Sequence, residues 1–393
     1  MDPTRRLFIQ SGAAMVAAVC VARRSSAWSG AEVHEPAPAP LGRAGGVADE
    51  FADPVELDGL LASLPSFACS RRREWVLASD CPKGAASSTL DLLEATTTQV
   101  TRVARVLGIQ PRASTTRHLA VLFERVEDYR NFAQRHDDYR EPGAIGHYAP
   151  HARRAMLTAA SASPALRAAI AQLDGAQASD GHARQPRAAV TGFGRGSARG
   201  ASPRVWASID TAIDEIRQRT MRLTAHEAAH QVLCERRVHP IGGACPAWLG
   251  EGFACCFETE RSIGDFGPDF DVPARRERLQ QALATNAIQP LGAVIASHGR
   301  PALSGAIAVD WYAQCWGLVA WLYREHPSQL AAYIEAIWDG RGGATGAERI
   351  GAFERVVGSL TKLEPAWRAA WQPRDDDRPH ATPAIRPAAR TAT

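Results

Sequence analysis

No two cysteines of this chain form a C-x-x-C pair, which excludes a structural zinc knuckle of that spacing. No apolar run is long enough to cross a bilayer. The best, Ala13 to Ala22, falls well short of the roughly 20 residues a spanning helix needs. Excess charge is lacking too. The formal net charge is +3, and removing residues 1–27 takes away Arg5, Arg6, Arg23, Arg24 and Asp2, leaving the remainder neutral. Nothing in the charge then points to nucleic acid or to an anionic membrane. Internal repeats are absent. The glycine-rich stretch GFGRGSARG (192–200) follows no strand and lacks the Lys-Ser/Thr of a P-loop, so it reads as a surface loop.

What remains is ample for a globular protein: 393 residues, 45% of them hydrophobic. The start of the chain is set apart from the rest. Arg5-Arg6, Phe8, a weak apolar run, Arg23-Arg24 and then small residues up to Ala31 resemble a twin-arginine export signal over 1–31. That places the protein in the periplasm or cell envelope, with an uncleaved N-terminal anchor as the alternative. Of eight cysteines, Cys20 lies in this segment. The other seven are an odd number, so at least one stays free or pairs between chains. Cys69 and Cys81 could close a small loop in an oxidising compartment.

The expected fold class is α+β. Residues 32–54, rich in Ala, Pro and Gly, form a flexible leader. Residues 55–160 form a small α/β part with a mixed sheet. It holds a strand over Arg73–Asp80 and a helix carrying Leu90, Leu93, Val100, Val103 and Leu107. A strand over His118–Glu124, a short amphipathic helix from Val126 and an edge hairpin turning near Pro150 follow. Residues 173–204 are a low-complexity insertion. Residues 207–371 read as nearly all helix, and 372–393 as a disordered tail.

The chemistry concentrates in TAHEAAHQVLCERRVHPIGGACPAWLGEGFA (224–254). His226 and His230 are i and i+4, so on a helix they stand one turn apart on one face and can share a zinc ion. Glu227 lies beside them, placed for a general base acting on the attacking water. Met221 to Leu233 contains good helix formers and no Pro or Gly, so a helix under the motif is expected. A catalytic zinc needs a third protein ligand. Arg236 stands where a third histidine would make a metzincin, which excludes that arrangement. Pro240, Gly242, Gly243 and Pro246 can reverse the chain. A second helix from about Pro246 would then lay Glu251 against the first. Glu258 and Glu260 are alternative ligands, ranked below Glu251. A helix whose histidines are merely hydrogen-bonded is the competing structural explanation.

H-E-A-A-H followed by P-A-W-L-G-E-G-F-A resembles the gluzincin zinc metallopeptidases, and its second part the W-L-x-E-G-F-A stretch of the aminopeptidase N type. The resemblance implies a zincin-like, mainly helical catalytic part with one Zn2+ held by His226, His230 and Glu251, and Glu227 as base and proton shuttle. It also implies a tyrosine at the start of a helix to stabilise the oxyanion. Tyr312, 61 residues after Glu251, takes that place, with His298 as the other candidate donor. The chain has no G-x-M-E-N stretch to bind a substrate's free amine. The order of motifs is similar to exported bacterial peptidase-like domains of unassigned substrate. In those, a hairpin (here Gly146-His147-Tyr148-Ala149-Pro150) precedes H-E-x-x-H, P-x-W-L-x-E-G-x-A and Y-A-Q-x-W. Cys255 stands one turn after Glu251, where a carboxylate supporting the ligands is expected.

The expected activity is zinc-dependent endopeptidase cleavage of a peptide or protein substrate, with no nucleic-acid partner and no stable membrane span in the mature chain. An inactive peptidase-like binding domain of the cell envelope and a metal-dependent hydrolase of a non-peptide bond are the alternatives.

Overall fold

The computed structural model describes residues 57–111, 117–141, 144–160, 203–240, 245–261, 264–297 and 305–373. The export signal, the leader, most of the low-complexity insertion, His298 and nearly all of the C-terminal tail lie outside them. The fold is α+β, as expected: a five-stranded mixed sheet followed by a mostly helical remainder.

The N-terminal part runs α1 (Leu57–Ser63), β1 (Ala68–Arg71), β2 (Trp75–Ser79), α2 (Lys83–Val106), β3 (His118–Phe123), α3 (Val126–His136), β4 (Gly146–Ala149) and β5 (Arg154–Thr158). The sheet order is β1-β2-β3-β5-β4. The inner pairs β2/β3 and β3/β5 are parallel, and the outer pairs β1/β2 and β4/β5 antiparallel. The hairpin expected around Pro150 is therefore present, and β4 is an edge strand. The expected strands and helices of this part all form. β1 and α1 carried no pattern strong enough to be read beforehand.

Alternation along the strands explains the layering. Trp75, Leu77, Ala120, Leu122, Ala155 and Leu157 point to one face and join the main core with α2 and the helical part. Val76, Leu119, Val121, Phe123 and Met156 point to the other, under α1 and α3. Both faces are covered, which is why the central strands read as unbroken apolar runs rather than as alternation.

The helical part is α4 (Pro203–Glu235), α5 (Ala247–Cys256), α6 (Pro273–Ala284), α7 (Leu291–Ala296), α8 (Gly305–Glu325), α9 (Pro327–Trp338), α10 (Gly346–Val356) and α11 (Leu360–Ala370). Helix α4 starts at Pro203, earlier than the expected boundary at 207, and so takes in the last two residues read as insertion. It packs against β4, β5, α2 and α5, while α8 packs on both α5 and α6. Among the described residues no helix is long and apolar enough to cross a membrane. All seven described cysteines are free thiols, including Cys69 and Cys81.

Candidate metal centre

Helix α4 carries the H-E-x-x-H residues in its last turns. No glycine ends it. Arg237 takes up the left-handed conformation instead, at φ 57. Its amide donates to the Cys234 carbonyl at 3.0 Å and that of Val238 to Leu233 at 2.8 Å, the pattern that closes a helix against its orphan carbonyls. Gly242 and Gly243 of the expected reversal lie outside the described residues, and α5 follows directly on Pro246. Trp248, Leu249 and Phe253 are completely buried and anchor α5 in the main core, each by roughly 1.5–3 kcal/mol of apolar burial.

Close approach needs small residues. Ala228 and Ala229 on α4 are fully buried. A methyl group at Gly146 on β4 would meet Leu223 Cδ2 of α4 at 2.9 Å and Met156 O at 3.0 Å. One at Gly252 on α5 would meet both Cys315 O and Val319 Cγ2 of α8 at 2.6 Å. Helix α4 is thus held between an edge strand and α5, and α5 is pressed onto α8.

These contacts bring three donor atoms together. His226 Nε2 and His230 Nε2 are 3.2 Å apart, and Glu251 Oε2 lies 3.3 Å from the first and 3.4 Å from the second. Ligands at roughly 2.0–2.1 Å around a tetrahedral ion stand about 3.3 Å from one another, so the triangle fits one such ion. Two imidazole nitrogens facing each other across that gap also need a shared proton or cation between them. Burial alone would raise the Glu251 carboxyl, but the two histidines hold it well below the usual carboxylate range. The trio is therefore a set of donors that could hold a metal ion.

Glu258 is not in that triangle. It lies seven residues after Glu251, two residues past the end of α5, and its Oε1 is 3.1 Å from Nδ1 of His226. An acceptor there keeps the Nδ1 proton in place and leaves Nε2 free to donate its lone pair. Arg275 of α6 grips both oxygens of Glu258, Nε to Oε2 at 2.9 Å and Nη2 to Oε1 at 2.6 Å. Burial would raise the Glu258 carboxyl, yet Arg275 and His226 bring it down to about 2. Cys255 joins His226 and Glu258 in a second grouping that could hold a metal. Burial pushes its thiol up, so it stays protonated. Glu260 is exposed, pairs with Arg222 and belongs to neither grouping that could hold a metal.

Glu227 is buried, next to His226 on α4. It lies in electrostatic reach of two phenols on the sheet side. Burial first, and then Glu227, raises Tyr129, while Tyr139 is raised by burial and then Glu141, with Glu227 adding least. Tyr129 Oη is 2.9 Å from His147 Nδ1 on β4, and His147 Nε2 is 3.2 Å from Asp137, which pairs with the buried Arg154. Tyr139 stacks on His147 at 4.0 Å between centroids. This polar wall beside the base had no sequence motif beyond the hairpin itself.

Tyr312 was expected at the start of a helix and instead lies within α8, two turns from its beginning, only 8% exposed. The Arg275 guanidinium stands over its ring, 5.6 Å from the centroid.

Residues 220–341 match a family model. Its description is protein of unknown function, DUF1570. The match starts inside α4, runs past α9, and includes His226, Glu227, His230, Glu251, Glu258, Arg275 and Tyr312. The sheet lies outside it. No curated protein matches the chain.

Proposed function

We propose that the chain is a zinc-dependent hydrolase of peptide bonds, an endopeptidase with one catalytic ion held by His226, His230 and Glu251. The observation that carries this reading is the triangle of donor atoms at 3.2–3.4 Å, with a carboxylate one residue from its first member. Resemblance of the same residues to the gluzincin pattern agrees with it. Zinc, when bound, supplies the Lewis acidity that polarises the scissile carbonyl and acidifies the attacking water.

The chain's own groups do the rest. Glu227 takes the proton of the attacking water and passes it to the leaving amine. Tyr312 donates a hydrogen bond from its hydroxyl to the carbonyl oxygen as negative charge develops there. β4 is the sheet edge beside α4, with no strand on its outer side among the described residues, so an extended substrate can pair with its backbone. Pairing along a strand does not require a free terminus. Without a G-x-M-E-N glutamate to bind an amine, this favours internal cleavage. Export to the periplasm or cell envelope is part of the same proposal and rests on the twin-arginine-like start.

The test is digestion of an unbiased peptide mixture by the zinc-loaded protein and by Glu227→Gln. Internal cuts made by the first and not the second support the reading. Zinc uptake without any cleavage turns it toward an inactive binding domain or a non-peptide hydrolase.

A further inference from the structure

Arg275 lies in none of the motifs, 24 residues beyond Glu251 on a different helix. Nonetheless it touches both halves of the candidate centre. Through two hydrogen bonds it fixes both oxygens of Glu258, and Glu258 Oε1 meets Nδ1 of His226 at 3.1 Å. Its guanidinium carbon also stands over the ring of Tyr312, 5.6 Å from the centroid. Helix α6, which carries Arg275, packs on α8, which carries Tyr312.

The geometry points to Arg275 as a positioning residue that sets the orientation of His226 through Glu258 and of Tyr312 through its ring. This rests on the metal-centre reading above.

The physical reasoning has two steps. A carboxylate held at one oxygen can rotate about its last bond, whereas a bidentate guanidinium locks its plane and so aims one lone pair at the imidazole N–H. The imidazole plane, fixed at Nδ1, then directs Nε2 at the centre of the triangle. On the other side, the cation over the ring restrains the phenol and draws electron density toward itself, which strengthens the hydroxyl as a donor. A lysine could supply the charge but not the fork.

The test uses the full chain and reads metal binding rather than turnover. Zinc affinity is measured by competition with a chromophoric chelator for wild type, Arg275→Lys, Arg275→Met, Glu258→Gln and the Glu258→Gln/Arg275→Met double variant. The cobalt-substituted absorption spectrum is recorded for each. Arg275→Met and Glu258→Gln are each expected to weaken zinc roughly 10–100-fold, and Arg275→Lys by less. In the double variant, loss of Arg275 adds nothing to loss of Glu258, an outcome that a merely structural arginine would not produce. The cobalt spectra of the variants shift with the ligand field.

If Arg275→Met does not fold, Arg275→Lys and the double variant, which leaves no unpaired buried charge, decide the matter. Wild-type affinity and an unchanged spectrum in those two overturn the proposal while leaving the metal centre standing. A wild type that takes up no zinc overturns the metal centre itself, and this role of Arg275 with it. For Tyr312, 3-fluorotyrosine labelling gives a resonance identified by its loss in Tyr312→Phe. That resonance moves in Arg275→Met or Arg275→Lys, and an unmoved one removes the Tyr312 half of the proposal.

Discussion

Gly252 lies so close to Cys315 that a single methyl group on it would stand 2.6 Å from the cysteine's carbonyl oxygen. The neighbouring atoms are backbone and a buried valine, which cannot swing aside. Gly252→Ala should therefore separate α5 from α8 and cost about 1–3 kcal/mol of stability, read by denaturant unfolding. Because Glu251 is the adjacent residue, zinc affinity should fall in the same variant. Gly59→Ala, at a position where an added Cβ meets nothing, serves as the control.

The two groupings that could hold a metal share His226 and differ in every other member. His230→Ala and Glu251→Gln should each lower zinc affinity by more than roughly 100-fold, since a three-ligand site loses a third of its donors. Cys255→Ala should bind zinc as the wild type does. Metal content after dialysis against a weak chelator separates these outcomes. A large loss in Cys255→Ala would move the ion to the second grouping.

Tyr312→Phe removes one oxygen and leaves the ring under Arg275 in place. In the proposed reaction its cost should fall on kcat, by roughly 10- to 1000-fold, with KM and zinc affinity little changed, because the hydrogen bond forms to charge that exists only in the transition state. A loss confined to KM would make Tyr312 a binding residue instead.

His239 offers a pH test independent of catalysis. Its Nδ1 donates to the Pro240 carbonyl at 2.8 Å, and its ring is 2% exposed. Burial pushes the ring down to about 4. In the unfolded chain it takes a proton near pH 6.5, so between the two values the unfolded state binds more protons. The stability tied to this ring is whole above about pH 6.5 and is lost as pH falls toward 4, on the order of 3 kcal/mol in all. Metal-free wild type should show that decline in urea unfolding. His239→Asn, whose amide can still reach the carbonyl, should lack it.

Much of the candidate site was legible in the sequence because it depends on local geometry. Spacing of four residues on a helix places His226 and His230 on one face whatever surrounds them. A proline-glycine reversal followed by Trp248 and Leu249 announces a second helix with a buried side, and Glu251 follows from that. The central strands were legible for a related reason, since runs such as His118–Phe123 are too apolar to lie anywhere but inside.

Other features depended on which elements meet, and no local pattern carries that. Glu258 stood in the sequence as a lower-ranked ligand, and only the packing of α5 against α4 turned it toward Nδ1 of His226 instead of into the triangle. Arg275 sits on α6 among other charged residues, indistinguishable from Arg276 and Arg278 until the fold places it between a carboxylate and a phenol. The same holds for His147, Tyr129 and Asp137, which come from a strand, a helix and a loop. Helical and strand periodicity are set by short-range sterics and by burial, and these the amino-acid sequence determined by itself. Which buried charge faces which is set by the crossing of helices and by the contacts that Gly146 and Gly252 permit, and the tertiary structure alone decided it.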